Sequence, residues 1–214
     1  MQQANLDRLK ACGVVPVITV HDAATAVPLA EALLEGGIDV VEITLRTEAG
    51  LSAIHAVARS VPGVLVAAGT VVAPDHVKAV RDAGAAVAFS PGFSEAVHEA
   101  IVQEKLDWLP GVATASDLMR SSALGLNTVK FFPAELAGGV PMLKALLGPF
   151  PDARFCPTGG VSLQNLSTYL AVPEVLCVGG SWLTPAKSVK AHDWLSIRDE
   201  ARKARAVVDS LRGE

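Results

Sequence analysis

Cysteine is scarce in this chain, with Cys12, Cys156 and Cys177 and no CxxC pair among them. That spacing offers neither a disulfide framework nor a thiolate metal site, and the last two lie in apolar runs where reduced core thiols are expected. Charge is sparse as well, at 19% of 214 residues, and 18 Lys and Arg stand against 22 Asp and Glu for a formal net charge of -4. A phosphate-backbone binder concentrates cations in a stripe or patch, so no nucleic-acid partner is expected. No stretch approaches the roughly 18 consecutive apolar residues of a membrane span. The opening MQQANLDRLKACG lacks the basic start and apolar run of a secretory signal. The expectation is a soluble, cytoplasmic protein with no membrane partner. HExxH, GxSxG, P-loop and GxGxxG patterns are missing too, which lowers metalloprotease, serine hydrolase, NTPase and dinucleotide-binding readings. His55, His76 and His98 fall on expected helices, His21 on a loop and His192 before the last helix, so no protein-bound metal is expected.

Half of the residues are hydrophobic, which argues against extended disorder. Short apolar runs recur along the whole length: VVPVITV from Val14, VVEIT from Val40, LVAAGT from Leu65 and AAVAFSPG from Ala85. They continue with WLPGV from Trp108, TVKFFP from Thr128, RFCPTGG from Arg154 and VLCVGG from Val175. Strands apolar on both faces belong inside a parallel sheet. Between them lie helical patterns: a Leu51, Ile54, Val57, Val61 stripe, the Val97/Ile101 pair, and Leu163, Leu166 and Leu170 behind Ser162. Thr114 with Asp117 reads as a capping box, Gly36-Gly37, Gly84 and Gly125 as helix ends, and roughly 193 to 211 as a final amphipathic helix. Eight alternating β and α units in a chain of this length predict an α/β fold, a (β/α)8 TIM barrel of parallel strands forming one domain over 1–214. An open doubly wound sheet is the alternative.

In a barrel, chemistry sits at the carboxyl ends of the strands. The polar residues there are Glu42, Thr44, Arg46, Thr70, Ser90-Pro91-Gly92, Lys130, Thr158-Gly159-Gly160 and Gly179-Gly180-Ser181. Strand alternation puts Thr128, Lys130 and Phe132 on one face and Val129 and Phe131 on the other. An ammonium in so apolar a strand is either a structural ion-pair member or an amine that attacks a carbonyl to form a Schiff base. Glu42, between apolar neighbours, is correspondingly its ion-pair partner or a general acid/base. The glycine pairs are tight turns or, with bare N–H groups and the Ser181 hydroxyl, an anion seat. Arg46 is a fork for a carboxylate or a solvated surface residue.

The segments EITLRT (42–47), AAGTV (67–71), SPGF (90–93), TVKFFPAE (128–135), RFCPTGGVS (154–162) and LCVGGSWL (176–183) resemble the bacterial 2-keto-3-deoxy-6-phosphogluconate (KDPG) aldolases, also called 4-hydroxy-2-oxoglutarate aldolases. The likeness runs in order from about Leu6 to beyond Pro185, and KFFPAE with CPTGG and GGSW is a specific combination. It implies a class I, metal-independent aldolase on a (β/α)8 barrel, a homotrimer without cofactor. The implied reaction is cleavage of a phosphorylated 2-keto-3-deoxy sugar acid, KDPG, to pyruvate and glyceraldehyde 3-phosphate in the Entner–Doudoroff pathway. Cleavage of 4-hydroxy-2-oxoglutarate to pyruvate and glyoxylate is implied beside it. By the same likeness Lys130 is the Schiff-base lysine and Glu42 the proton carrier, while Arg46 and Thr70 hold the pyruvate carboxylate. Pro91 and Phe132 line the pocket, and Thr158, Gly159, Gly160, Gly180 and Ser181 receive the phosphate side, with Thr158 placed to influence the C4 configuration accepted. Two other classes stand beside this reading. One is a phosphosugar isomerase or epimerase, from the glycine turns and Glu42 as base. The other is a non-catalytic phosphosugar-binding or assembly protein, from a mean hydropathy of +0.39.

Overall fold

A computed structural model describes residues 1–213. Nine parallel strands run in chain order: β1 (Val14–Ile18), β2 (Val40–Thr44), β3 (Leu65–Gly69), β4 (Val87–Phe89), β5 (Asp107–Leu109), β6 (Gly111–Val112), β7 (Thr128–Phe131), β8 (Arg154–Pro157) and β9 (Val178–Gly180). They form a curled parallel sheet in an α/β fold. One six-stranded part has the order β5-β4-β3-β2-β1-β9, and a three-stranded part the order β6-β7-β8. Only Pro110 separates β5 from β6, and its missing N–H splits the fifth expected strand. Isolated bridges pair Phe155 with Val175 and Thr158 with Gly179, linking β8 to the β9 segment. The eighth expected strand is correspondingly shorter than its apolar run, because Val175 contributes a bridge and Leu176 and Cys177 lead into β9.

The strands are buried on both faces, as their continuous apolar character demands, in one core cluster that includes Val40, Val41, Ile43, Phe89, Val129, Phe131 and Phe155. Each fully buried Leu, Ile or Phe contributes about 1.5–3 kcal/mol relative to exposure. Helices cover the sheet with local signals at their ends. Ser94 accepts the Val97 N–H, Thr114 and Asp117 form the expected capping box, and Asp193 caps Trp194–Arg212 by accepting the Ser196 N–H.

Three helical expectations change. In Ala49–Ser60, Ile54 and Val57 are buried but Leu51 is exposed. Gly50 faces inward instead, because a Cβ there would fall 2.5 Å from the Thr44 carbonyl oxygen, and this close approach turns Leu51 outward. The segment after Ser162 becomes helical only at Leu166–Leu170, since the Asn165 side chain first accepts the Ser162 N–H at 2.8 Å and closes a turn. An additional helix, Gln3–Cys12, precedes β1. It is tied down by Arg8 to Asp39 at 2.8 Å and by the Gln2 N–H to the Asp107 carboxylate at 2.9 Å. All three cysteines are buried free thiols, and burial pushes Cys12 up to about 11. No described helix is long and apolar enough to cross a membrane.

Candidate active site

The inward face of β2 carries Glu42 and then Thr44, and that of β7 carries Lys130, all nearly inaccessible to solvent. Glu42 sits opposite Val17 and Ala67 in register, and Lys130 opposite Gly111 and Cys156. β2 and β7 are not hydrogen-bonded neighbours, so their side chains meet by crossing the interior of the curled sheet. The Lys130 Nζ donates to Glu42 Oε1 at 2.8 Å and Oε2 at 3.1 Å. The Phe89 and Phe132 rings approach the same nitrogen at 5.3 and 5.7 Å from their centroids. Removing either partner of such a pair would leave an uncompensated buried charge, at a cost of about 3–5 kcal/mol.

Small residues make room for this contact. A Cβ on Gly69, at the end of β3, would lie 2.2 Å from Glu42 Oε1 and 2.8 Å from its Cγ. The carboxylate therefore rests in space that only glycine leaves open. Directly after it, Thr70 adopts φ 62°, a left-handed conformation that costs an L-residue roughly 1–2 kcal/mol. Thr44, one pleat beyond Glu42, is held by the Ile18 carbonyl and by the Thr19 hydroxyl, each at 2.9 Å. Ser90 accepts the Trp108 indole N–H at 2.8 Å and donates to the Val71 carbonyl at 2.6 Å, anchoring the end of β4 beside Pro91. A Cβ on Gly111 would collide with the Pro91 backbone at 2.2 Å, so a second glycine seats Pro91.

Arg46 is exposed just beyond β2, and among the described residues its guanidinium has no hydrogen-bond or ion-pair partner. On the far side, Thr158 is buried against Gly179, where a Cβ would meet Thr158 Oγ1 at 2.2 Å. Gly159 and Gly160 have φ 98° and 82°, a backbone path that favours glycine. Among the described residues the N–H groups of Gly160 and Val161 have no hydrogen-bond acceptor in the protein, while the Thr158–Gly179 bridge occupies that of Gly159. Successive unsatisfied N–H groups in such a turn form a concavity for an anion. Gly180 is buried and Ser181 exposed at the end of β9.

Glu42, Lys130 and Gly179 lie within β2, β7 and β9, the other candidates at strand-end positions lie at or beyond the carboxyl ends of their strands, and the structure joins Lys130 to Glu42 directly. Sequence reasoning did not find the seat that Gly69 provides or the Ser90–Trp108 bond. A glycine closing an apolar strand was the available signal for the first, since such positions mark a close approach. No group of three or more His, Cys, Asp or Glu among the described residues is arranged to hold a metal ion.

Comparison with known proteins agrees with this geometry. The family model "KDPG and KHG aldolase" matches residues 6–199. The KHG/KDPG aldolase of Escherichia coli (strain K12) is 49% identical over 191 residues, which cover 89% of this chain and 90% of that one. A crystal structure of KDPG aldolase from Legionella pneumophila, with pyruvate captured as a covalent carbinolamine, superposes with a TM-score of 0.90 at 43% identity, covering 93% of this chain and 97% of the other. The KDPG aldolase of Zymomonas mobilis ZM4 with 3-phosphoglycerate also gives 0.90, at 41% identity and 96% and 97% coverage. Matched by that family model over most of its length and 49% identical to a relative across 89% of its residues, this chain belongs to the KDPG and KHG aldolase family.

Proposed function

We propose that this chain is a class I aldolase that cleaves KDPG to pyruvate and D-glyceraldehyde 3-phosphate, the Entner–Doudoroff step, and 4-hydroxy-2-oxoglutarate to pyruvate and glyoxylate. The observation that carries the reading is the buried Lys130 amine within hydrogen-bond reach of both Glu42 oxygens. Glu42 takes a proton from Lys130, whose freed lone pair attacks the C2 ketone, and a proton then passes from the new C–N nitrogen to the C2 oxygen to make a carbinolamine hydroxyl. Glu42 returns that proton to the departing C2 hydroxyl, which leaves as water and gives an iminium. The carboxylate then removes the C4 hydroxyl proton, the C3–C4 bond breaks, and its electron pair enters the iminium to give an enamine as the aldehyde departs. Protonation of C3 by Glu42 and hydrolysis by water release pyruvate and restore the lysine. The iminium is the electron sink, so this mechanism calls for no metal or organic cofactor.

Arg46 and Thr70 hold the pyruvate carboxylate, consistent with an unpartnered planar fork beside the site. Pro91 and Phe132 form the wall, and Thr158, Gly159, Gly160, Gly180 and Ser181 take the phosphate side, where free N–H groups suit an anion. The fold reading is a closed (β/α)8 barrel making one domain over 1–214. It is supported by the continuity of β5 and β6 across Pro110 and by the two bridges toward β9. The same reading makes the protein a cytoplasmic homotrimer. A coupled assay of pyruvate release tests the activity: wild type turns over KDPG and Lys130→Ala does not. Conversion of a sugar phosphate without pyruvate release would support an isomerase instead.

A further inference from the structure

Glu135 takes part in none of these steps, yet it lies against the glycine turn. Its N–H donates to the Gly159 carbonyl at 3.0 Å, and the Ala134 N–H to that of Thr158 at 2.8 Å. Its stem fills the space beside Gly160, where an added Cβ would fall 2.5 Å from Glu135 Cγ and 2.6 Å from its Cβ. The carboxylate end points elsewhere. Oε1 accepts the hydroxyl of Tyr169, the one tyrosine of the chain, beside Gly139, whose added Cβ would lie 3.3 Å from Oε1 and 3.5 Å from Tyr169 Oη. Tyr169 is almost wholly buried. Burial first, and then the bond to Glu135, raise its pKa and keep the proton on the phenol, so the tyrosine is the donor and the glutamate the acceptor.

Glu135 and Gly160 are both exposed, and a carboxylate beside an anion seat is still a liability there, because like charges a few ångströms apart repel by about 1 kcal/mol even in water. We propose that Tyr169 is a positioning residue for phosphate recognition: its hydroxyl draws the Glu135 carboxylate away from the Gly160 and Val161 N–H groups and leaves the Glu135 stem to brace the turn. This rests on the reading of that turn as the phosphate site. The pair then sets the preference for phosphorylated over unphosphorylated substrate without touching the bond that is cleaved.

The test is steady-state kinetics on KDPG and on 4-hydroxy-2-oxoglutarate, which has no phosphate. Tyr169→Phe leaves the carboxylate charged and untethered, and KM for KDPG rises about five- to tenfold, the scale of two like charges a few ångströms apart in a solvated turn. The KM for 4-hydroxy-2-oxoglutarate and both kcat values stay within about twofold. Adding Glu135→Gln to Tyr169→Phe removes the charge and restores most of the KDPG affinity. Glu135→Asp, an exposed change that spares the buried tyrosine, retracts the carboxylate from the phenol and reproduces the KDPG-specific rise should Tyr169→Phe fail to fold. An equal KM rise for both substrates, an unchanged KDPG KM in both charged variants, or a double variant no better than Tyr169→Phe overturns the proposal. Absence of pyruvate from either substrate with the wild type is a different failure, that of the aldolase reading itself.

Discussion

Gly69→Ala separates the geometry of the Lys130–Glu42 pair from its chemistry. The new methyl would sit 2.2 Å from Glu42 Oε1, where ordinary contact begins near 3.4 Å, so the carboxylate has to retreat by about 1.2 Å. That oxygen is the one 2.8 Å from Lys130 Nζ. Gly69 is not among the residues with positive φ, so alanine suits its backbone and the effect is steric. A misplacement of about 1 Å at reacting groups costs on the order of 10²-fold in rate. Overpacking a core by one methyl costs about 1–3 kcal/mol, or roughly 2–12 °C in melting temperature for a chain of this size. The expectation is a folded protein with kcat for KDPG cleavage reduced about 100-fold and slowed exchange of the pyruvate methyl protons in D2O, followed by NMR. Lys130 remains in place, so borohydride still traps pyruvate on it after long incubation. Activity within threefold of wild type would refute the claim that Gly69 seats the catalytic carboxylate.

Gly160→Ala combines a left-handed φ of 82° with a clash against Glu135, and it raises KM for KDPG about tenfold while sparing 4-hydroxy-2-oxoglutarate; substrate titrations check both. Thr114→Ala removes the capping box of Ala115–Ala123 and costs about 1 kcal/mol in chemical denaturation, as cap losses do. At the same cap, burial raises the Asp117 pKa, but bonds from the Thr114 hydroxyl and the Ala113 and Thr114 N–H groups outweigh it and hold the carboxyl below its usual 3.8. Its contribution is therefore full above the unfolded value and is lost as pH falls through the lower folded one. Asp117→Asn reduces stability at pH 7 and makes little difference at pH 2, measured by denaturant midpoint.

How far the sequence carried the reading follows from which interactions are local. Lys130 stood out because a cation interrupts an apolar alternation on one strand, and Glu42 for the same reason. Their pairing stood only as one of two readings of Glu42, since whether they meet depends on how the sheet curls to bring together residues 88 positions apart. The capping box at Thr114 was legible because it closes within four residues. Leu51 was misplaced because helical periodicity does not register the close approach of Gly50 to β2. The break at Pro110 was written in the sequence as a missing donor, though the run around it read as one strand. Tyr169 and Glu135, 34 residues apart, carry no local pattern that joins them.

The most direct test of the account is borohydride reduction in the presence of pyruvate, followed by intact-mass and peptide mass spectrometry, with a no-pyruvate control. The account predicts one reduced pyruvate adduct per chain, carried by the peptide that contains Lys130 and absent from folded Lys130→Ala. No adduct on folded wild-type protein, or an adduct on a different lysine, would contradict it.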